Sequence, residues 1–210
     1  MPAEESLAQI AKEVSACQKC ALYHSRKQSV PGEGPADSEI MFIGEGPGFH
    51  ENEQGRPFVG PAGKFLDELL AAAGLERPKV WIGNVVKCRP PGNRDPLPEE
   101  LAACNVYLER QMAAINPKII ITLGRYSMGK FMPGAKISGV HGQMRRVGER
   151  FVIAMFHPAA ALHQAALKPA ILHDFGQLPK LLEQARAAQK RSAPAAAEEP
   201  QEDPKQLNLF

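Results

Sequence analysis

The sequence predicts an α/β fold, a mainly parallel sheet covered by helices on both faces. Three observations carry that expectation. Short, strongly apolar runs recur at residues 39–44, 80–86 and 118–124. Amphipathic segments of helical period lie between them, and Gly or Pro marks the junctions. Strand-sized runs that are apolar at successive positions belong to strands buried on both faces, and helices alternating with such strands form the crossovers of a parallel sheet.

Each element has its own warrant. Residues 4–16 place Leu7, Ile10, Ala11 and Val14 on one helical stripe and end in the pair Cys17 and Cys20. The Gly/Pro-rich stretch 30–35 separates this helix from the first strand, 39–44. That strand runs directly into Glu45-Gly46-Pro47-Gly48, and a Gly-rich turn at a strand end is a usual place for an α/β ligand site. Residues 61–74 read as a helix, with Pro61 at its start, Phe65, Leu66, Leu69 and Leu70 on its apolar face, and Gly74 as its stop. The alternation then repeats with strand 80–86, helix 98–115, strand 118–124 and a short helix 125–132. Residues 143–147 and 150–156 look like a hairpin or two closing strands around Gly148-Glu149, and 169–188 is a last amphipathic helix. From 188 to 205 the chain turns to Ala, Pro, Glu, Lys and Ser, which cannot offset its ordering entropy. The expected organisation is one domain over 1–187, a flexible linker over 188–205 and an apolar terminal peptide over 206–210.

The chain has 210 residues, 44% of them hydrophobic, enough for one domain with a real core and too many for a wholly disordered chain. No apolar run approaches the ~20 residues of a membrane span. The acidic, amphipathic N-terminus is no signal peptide, so the expected location is the cytoplasm, with no membrane partner. Lys and Arg number 25 against 23 Asp and Glu, a formal charge of +2. A nucleic-acid binder with this balance needs a local basic face rather than a global one.

Four cysteines in such a chain read as metal ligands rather than disulfides. Cys17 and Cys20 form a CxxC pair at a helix end, Cys88 closes a strand, and Cys104 lies one turn into a helix. The plain alternative is four unrelated core thiols. Four thiolates suit a tetrahedral zinc ion or an iron–sulfur cluster equally, and Lys19, Lys87 and Arg89 flank them with positive charge.

Four further segments end at the expected carboxyl edge of the sheet: Gly44-Glu-Gly-Pro-Gly48, Gly55-Arg-Pro-Phe-Val-Gly-Pro61, the stretch holding Asn84, and His157-Pro158. Each alone has a plain reading as a turn, a core aromatic, a local cap or a satisfied histidine. Together they make a pocket for a flat heterocycle with carbonyls, for which a nucleobase is the natural candidate. A ring stacks it, an amide reads one donor and one acceptor on its edge, and an imidazole stabilises a departing oxyanion.

The motifs Gly-Glu-Gly-Pro-Gly (44–48), Gly-Arg-Pro-Phe-Val-Gly-Pro-Ala-Gly (55–63), Asn-Val-Val-Lys-Cys-Arg-Pro-Pro (84–91), Leu-Gly (123–124) and Phe-His-Pro-Ala (156–159), with the four cysteines in this order, resemble the family 4 uracil-DNA glycosylases. The resemblance spans roughly residues 7–185. It implies a three-layer α/β/α fold with a central four-stranded, mainly parallel sheet, and a [4Fe–4S] cluster on Cys17, Cys20, Cys88 and Cys104. It also implies excision of uracil from single- and double-stranded DNA as the start of base excision repair. By matched position, Phe58 stacks on the flipped uracil, Asn84 reads its polar edge, the amides around Glu45 and Gly46 contact it, and His157 lies beside uracil O2. Glu51 matches a further active-site acid that positions water or walls off a thymine methyl; Glu45 is the other candidate for orienting water. Arg89, Arg94 and Lys168 are expected to grip phosphates.

Some segments depart from the family. Phe49-His50 stands where acids are common, and Ala160-Ala161-Leu162-His163 replaces an aromatic and an Arg, leaving Leu162 as the wedge into the duplex. Pro90-Pro-Gly-Asn-Arg-Asp-Pro lacks the Arg/His-rich loop of the related cross-linking branch, so covalent capture of DNA is not expected. The expected enzyme is a nucleoid-associated monomer. Two other classes compete with it. A non-catalytic iron–sulfur nucleic-acid binder needs the cysteines but not Phe58, Asn84 and His157 together. A zinc-stabilised interaction protein is colourless.

The terminal Gln206-Leu207-Asn208-Leu209-Phe210 resembles the pentapeptide by which bacterial proteins bind the DNA polymerase sliding clamp, the β clamp. Gln206 reaches a polar site, while Leu207, Leu209 and Phe210 supply apolar contact. A tether of about 17 residues spans roughly 20–25 Å as a random coil, so the domain searches DNA while tied to the clamp. Deleting residues 206–210 is expected to abolish clamp binding and leave excision from short oligonucleotides unchanged. Equal clamp affinity of the full-length and truncated chains by calorimetry counts against the assignment.

Overall fold

The computed structural model describes residues 3–192, with side chains from 7 to 190. Five strands form one sheet: β1 (Ile40–Gly44), β2 (Trp81–Asn84), β3 (Ile119–Leu123), β4 (Met144–Val147) and β5 (Arg150–Met155), in the order β2-β1-β3-β5-β4. The four strands β2, β1, β3 and β5 run parallel, and β4 pairs antiparallel with β5 at the edge. The sheet thus has five strands where the family resemblance implied four. The extra one is the first arm of the hairpin read from 143–156. Val147 pairs with Arg150, which leaves Gly148-Glu149 as a two-residue turn with Gly148 at φ 62°. Arg145 and Arg146 stay exposed on this edge strand and keep it from templating another chain.

Alternate residues of each strand face opposite layers. Ile40 and Phe42, Ile119 and Ile121, and Ile153 and Met155 point to one side. There they meet α3 (Pro61–Ala72), α7 (Pro158–His163) and α8 (Lys168–Ser192). Met41, Ile43, Ile120 and Val152 point to the other, against α4 (Pro98–Ile115), α5 (Arg125–Phe131) and α6 (Ile137–Val140). The first helix, α1 (Ala3–Ala16), packs Ile10 and Val14 on α4, with Cys88, Cys104 and Tyr107 in the same cluster. The three-layer α/β/α class is the one the sequence predicts.

Local chemistry sets the helix ends. Pro61 and Pro98 open α3 and α4, where the missing amide hydrogen costs nothing. Asn116, at φ 47°, closes α4 in the left-handed conformation that Asn tolerates. The helix α2 (Phe49–Gln54) is six residues long and was not anticipated, nor were α6 and α7, because such short helices show no period. Helix α8 runs to Ser192 and takes in the first residues assigned to the linker, while the rest of that linker and residues 206–210 lie outside the described residues. No helix among the described residues is long and apolar enough to cross a membrane.

After β1 the chain adds β2 on one side of β1 and then β3 on the other. That reversal opens a crevice at the carboxyl ends of the parallel strands. The antiparallel bridge between Glu33 and Ile82 covers the outer edge of β2, with amide–carbonyl bonds of 2.9 and 2.8 Å.

Candidate active site

Gly44, Asn84 and Met155-Phe156-His157 end β1, β2 and β5 at the crevice. Gly44 must be glycine for steric reasons. A Cβ there would meet Asn84 Oδ1 and, at 2.7 Å, the Phe58 ring. The bare Cα lets the amide and the ring stand side by side. Asn84 is 1% exposed, and its Oδ1 is buried with no hydrogen-bond partner among the described residues. A buried acceptor left unpaired costs about 1–3 kcal/mol, and such orphans mark sites completed by a ligand.

Phe58 is buried at φ 50°, the left-handed region that aromatic residues avoid. The surroundings hold it there. Arg77 donates to the Phe58 carbonyl at 3.1 Å and to the Pro57 carbonyl at 2.6 Å, and is itself anchored by Asp67 and Glu33 at 2.9 and 3.0 Å. Glu51 accepts from the amides of Val59 and Gly60, both at 2.9 Å, and from Gly48 at 3.1 Å. A methyl on Gly63 would land on the Phe58 carbonyl, so only glycine lets α3 approach this loop. Glu51 therefore clamps two loops together, with both carboxylate oxygens engaged.

His157 faces Phe58, ring centroids 5.6 Å apart and planes at 25°. Its Nδ1 accepts from the Ala159 amide at 3.1 Å, capping α7. The ring proton of the neutral imidazole then belongs to Nε2, a donor. Burial lowers the His157 pKa to about 4 against the opposing pull of Glu51, so the ring is neutral near pH 7. Burial, helped by the charge of Asp95, pushes the Glu45 carboxyl above its ordinary range, with Arg125 opposing. Gly46 has a glycine's contact as well: a Cβ would strike Val86 at 2.7 Å.

The rim is partly basic. The Arg89 guanidinium lies 5.4 Å from the centroid of the Phe49 ring, which is 53% exposed, and donates to Asn93 at 2.7 Å. Leu162 is also exposed, and Lys168 lies over Phe65 at 5.5 Å. Arg94 has a partner within the protein. Its guanidinium is bidentate on the buried Glu100, at 2.9 and 2.7 Å, and Glu100 in turn caps α4 through the Leu97 amide. Those donors hold the helix start rather than a phosphate. Arg125, paired with Asp95 at the end of β3, is an exposed cation that the sequence alone did not single out.

The four cysteines line one pocket together with Arg26, Lys87 and Tyr107. Cys88 lies four residues beyond the end of β2 rather than closing it. All four are free thiols, and among the described residues no group of three or more His, Cys, Asp or Glu is set to hold a single metal ion. Burial pushes the thiols of Cys88 and Cys104 up, Cys104 to about 11. Donors nevertheless surround the sulfurs: Arg26 Nη1 to Cys88 at 3.3 Å, the Lys87 amide to Cys104 at 3.2 Å and the Lys19 amide to Cys17 at 3.5 Å. Arg26 takes the place expected for Arg89, which turns to the rim instead.

Residues 31–176 match the family model of the uracil DNA glycosylase superfamily. The chain is 43% identical to a type-4 uracil-DNA glycosylase of Archaeoglobus fulgidus over 84% of its own length and 94% of that protein. It is 46% identical to one of Sulfurisphaera tokodaii, over 84% and 85% of the two chains. A third, from Thermotoga maritima, is 44% identical over 81% and 92%.

The state of His157 is measurable through stability. The ordinary value of 6.5 applies to the unfolded chain, and the folded value is about 4. As pH falls from 6.5 towards 4, the unfolded state takes up a proton that the folded state refuses, so this residue withdraws stability across that window. The urea midpoint of the wild type is expected to drop further over that range than that of His157→Asn, which keeps a capping acceptor but does not titrate. Parallel declines in the two proteins are the contrary result.

Proposed function

The chain belongs to the uracil DNA glycosylase superfamily and to its type-4 group, and we propose that it starts base excision repair by flipping uracil out of DNA and hydrolysing its N-glycosidic bond. The orphaned, buried Asn84 Oδ1 beside the strained Phe58 ring carries this reading. Uracil presents an N3–H donor and an O4 acceptor on one edge, which an amide matches with its own acceptor and donor. Cytosine reverses both, so an amide held in one orientation rejects it. Phe58 supplies the stacking face, and its loop is already locked by Arg77 and Glu51, so little ordering is left to the moment of binding.

Cleavage moves the C1′–N1 electron pair onto the base, and negative charge develops at O2. His157 Nε2–H donates there. As a neutral donor it stabilises the departing anion most strongly in the transition state. A water on the far face of the sugar bonds to C1′, with its proton passing to a nearby acceptor. Glu45, at the turn after β1, is the group we assign to orient it, since Glu51 is committed to backbone amides. Flipping costs a few kcal/mol from a paired duplex, less from a mismatch or a single strand. Arg89 and Lys168 are the cations we assign to phosphates, and Leu162 the side chain for the gap left in the stack. The clamp remains the proposed partner of residues 206–210 on sequence grounds.

A [4Fe–4S] cluster fits the pocket of Cys17, Cys20, Cys88 and Cys104. The donor set is all thiol, lines one pocket and is flanked by N–H donors. When bound, the cluster cross-links α1, the segment after β2 and α4, a structural rather than chemical service.

Asn84→Ala and His157→Ala are each expected to slow single-turnover uracil excision by about 10²–10³-fold, with fold and colour retained. A near wild-type rate in either variant removes that residue from the site. Cys17→Ser is expected to lose the absorbance near ~400 nm of a thiolate-held cluster and to melt at lower temperature. A colourless wild type that binds zinc overturns the cluster.

A further inference from the structure

We infer that Lys87 is the positioning residue for Asn84, its buried ammonium holding the main chain that aims the base-reading amide. The inference rests on the reading of Asn84 just given. Lys87 is 1% exposed, among the largest wholly buried side chains of the protein. Its Nζ turns back along its own chain to donate to the Asn84 carbonyl at 2.8 Å. A second bond goes to Gln111 Oε1 on α4 at 2.7 Å, and the ammonium lies 5.6 Å from the centroid of the Trp81 ring. Gln111 is fixed in turn by donating to the Pro31 carbonyl at 2.7 Å.

Among the described residues Lys87 is in no ion pair with a carboxylate. Burying an ammonium without one is costly, and an apolar side chain of the same length would fill the space more cheaply. Lys87 also lines the cysteine pocket; towards Asn84 its ammonium adds direction. The carbonyl it grips sets the peptide plane between Asn84 and Val85, and so the Cα–Cβ direction of Asn84 at the point where β2 ends. The Lys87 main chain is pinned independently. Its amide donates to Cys104 Sγ at 3.2 Å, and its carbonyl accepts from Val30 at 2.7 Å. The side chain is therefore a strut from the cysteine pocket to the base-reading residue. An amide displaced by a fraction of an ångström loses alignment with the base edge, and the loss falls on the chemical step.

A double-mutant cycle on the purified holoenzyme tests this, with wild type, Asn84→Ala, Lys87→Met and the double variant. Three quantities are read: single-turnover excision of uracil from an oligonucleotide, visible absorbance per chain, and thermal midpoint. Lys87→Met is expected to slow excision about 10- to 100-fold while keeping the cluster absorbance. The double variant is expected to be no slower than Asn84→Ala, because the strut has nothing left to aim. A wild-type rate in Lys87→Met overturns the inference, as does a double variant whose rate loss is the product of the two single losses. A wild-type rate in Asn84→Ala instead overturns the underlying reading of the pocket. If Lys87→Met does not fold, Gln111→Leu replaces it in the same cycle. It frees the ammonium from α4, is expected to cause a smaller rate loss that disappears in the Asn84→Ala background, and overturns the inference if that loss persists there.

Discussion

The segment from Asn84 to Cys88 crosses the interior as irregular backbone, fully buried, and the rest of the structure is arranged around satisfying it. A buried amide or carbonyl without a partner is costly, so such a path is possible only if each group finds one. The partners come from four places. The amides of Val85 and Val86 bond to the carbonyls of Gly44 and Glu45, Val30 donates to the Lys87 carbonyl, and Cys104 accepts from the Lys87 amide. The Asn84 carbonyl goes to the Lys87 ammonium. The Gly-rich turn after β1, the segment before β1 and the cysteine pocket are thus all fastened to one short run. This is why the cysteine pocket and the pocket at Asn84, on opposite ends of it, are mechanically linked.

The second constraint is stored strain. A non-glycine residue in the left-handed region costs roughly 1–3 kcal/mol and persists only where its neighbours over-determine it. At Phe58 they do: Arg77 holds the carbonyls, Glu51 holds the next two amides, and Gly63 leaves room for the turn. The result is a ring presented rigidly beside Asn84 and His157. Its rigidity matters because a flipped base offers a flat face and little else for alignment.

Electrostatics at the site run opposite to those at its rim. Inside, burial keeps His157 neutral near pH 7 and pushes the carboxyl of Glu45 above its ordinary range. Outside, Arg89, Arg125 and Lys168 present cations near the crevice. A formal charge of +2 thus says little by itself, because the charges are distributed unevenly between pocket and surface.

The sequence by itself determined the alternation of strands and helices, because burial on both faces writes apolar runs and amphipathic helices write a period, and both are local patterns. It also singled out Phe58, Asn84 and His157, which the structure brings together, and the four cysteines, which line one pocket, because each sits in a local motif. The tertiary structure alone decided who holds them. Arg77 on the Phe58 carbonyl, Arg26 on Cys88, and Lys87 between Asn84 and Gln111 are pairings across 19, 62 and 24 positions of the chain. Nothing in the spacing of residues specifies such a partner. It also gave Glu51 its backbone amides and Arg94 its partner Glu100, because a charged side chain takes whichever opposite charge or open amide the packed elements bring within reach, and that is a property of the packing rather than of the neighbouring residues.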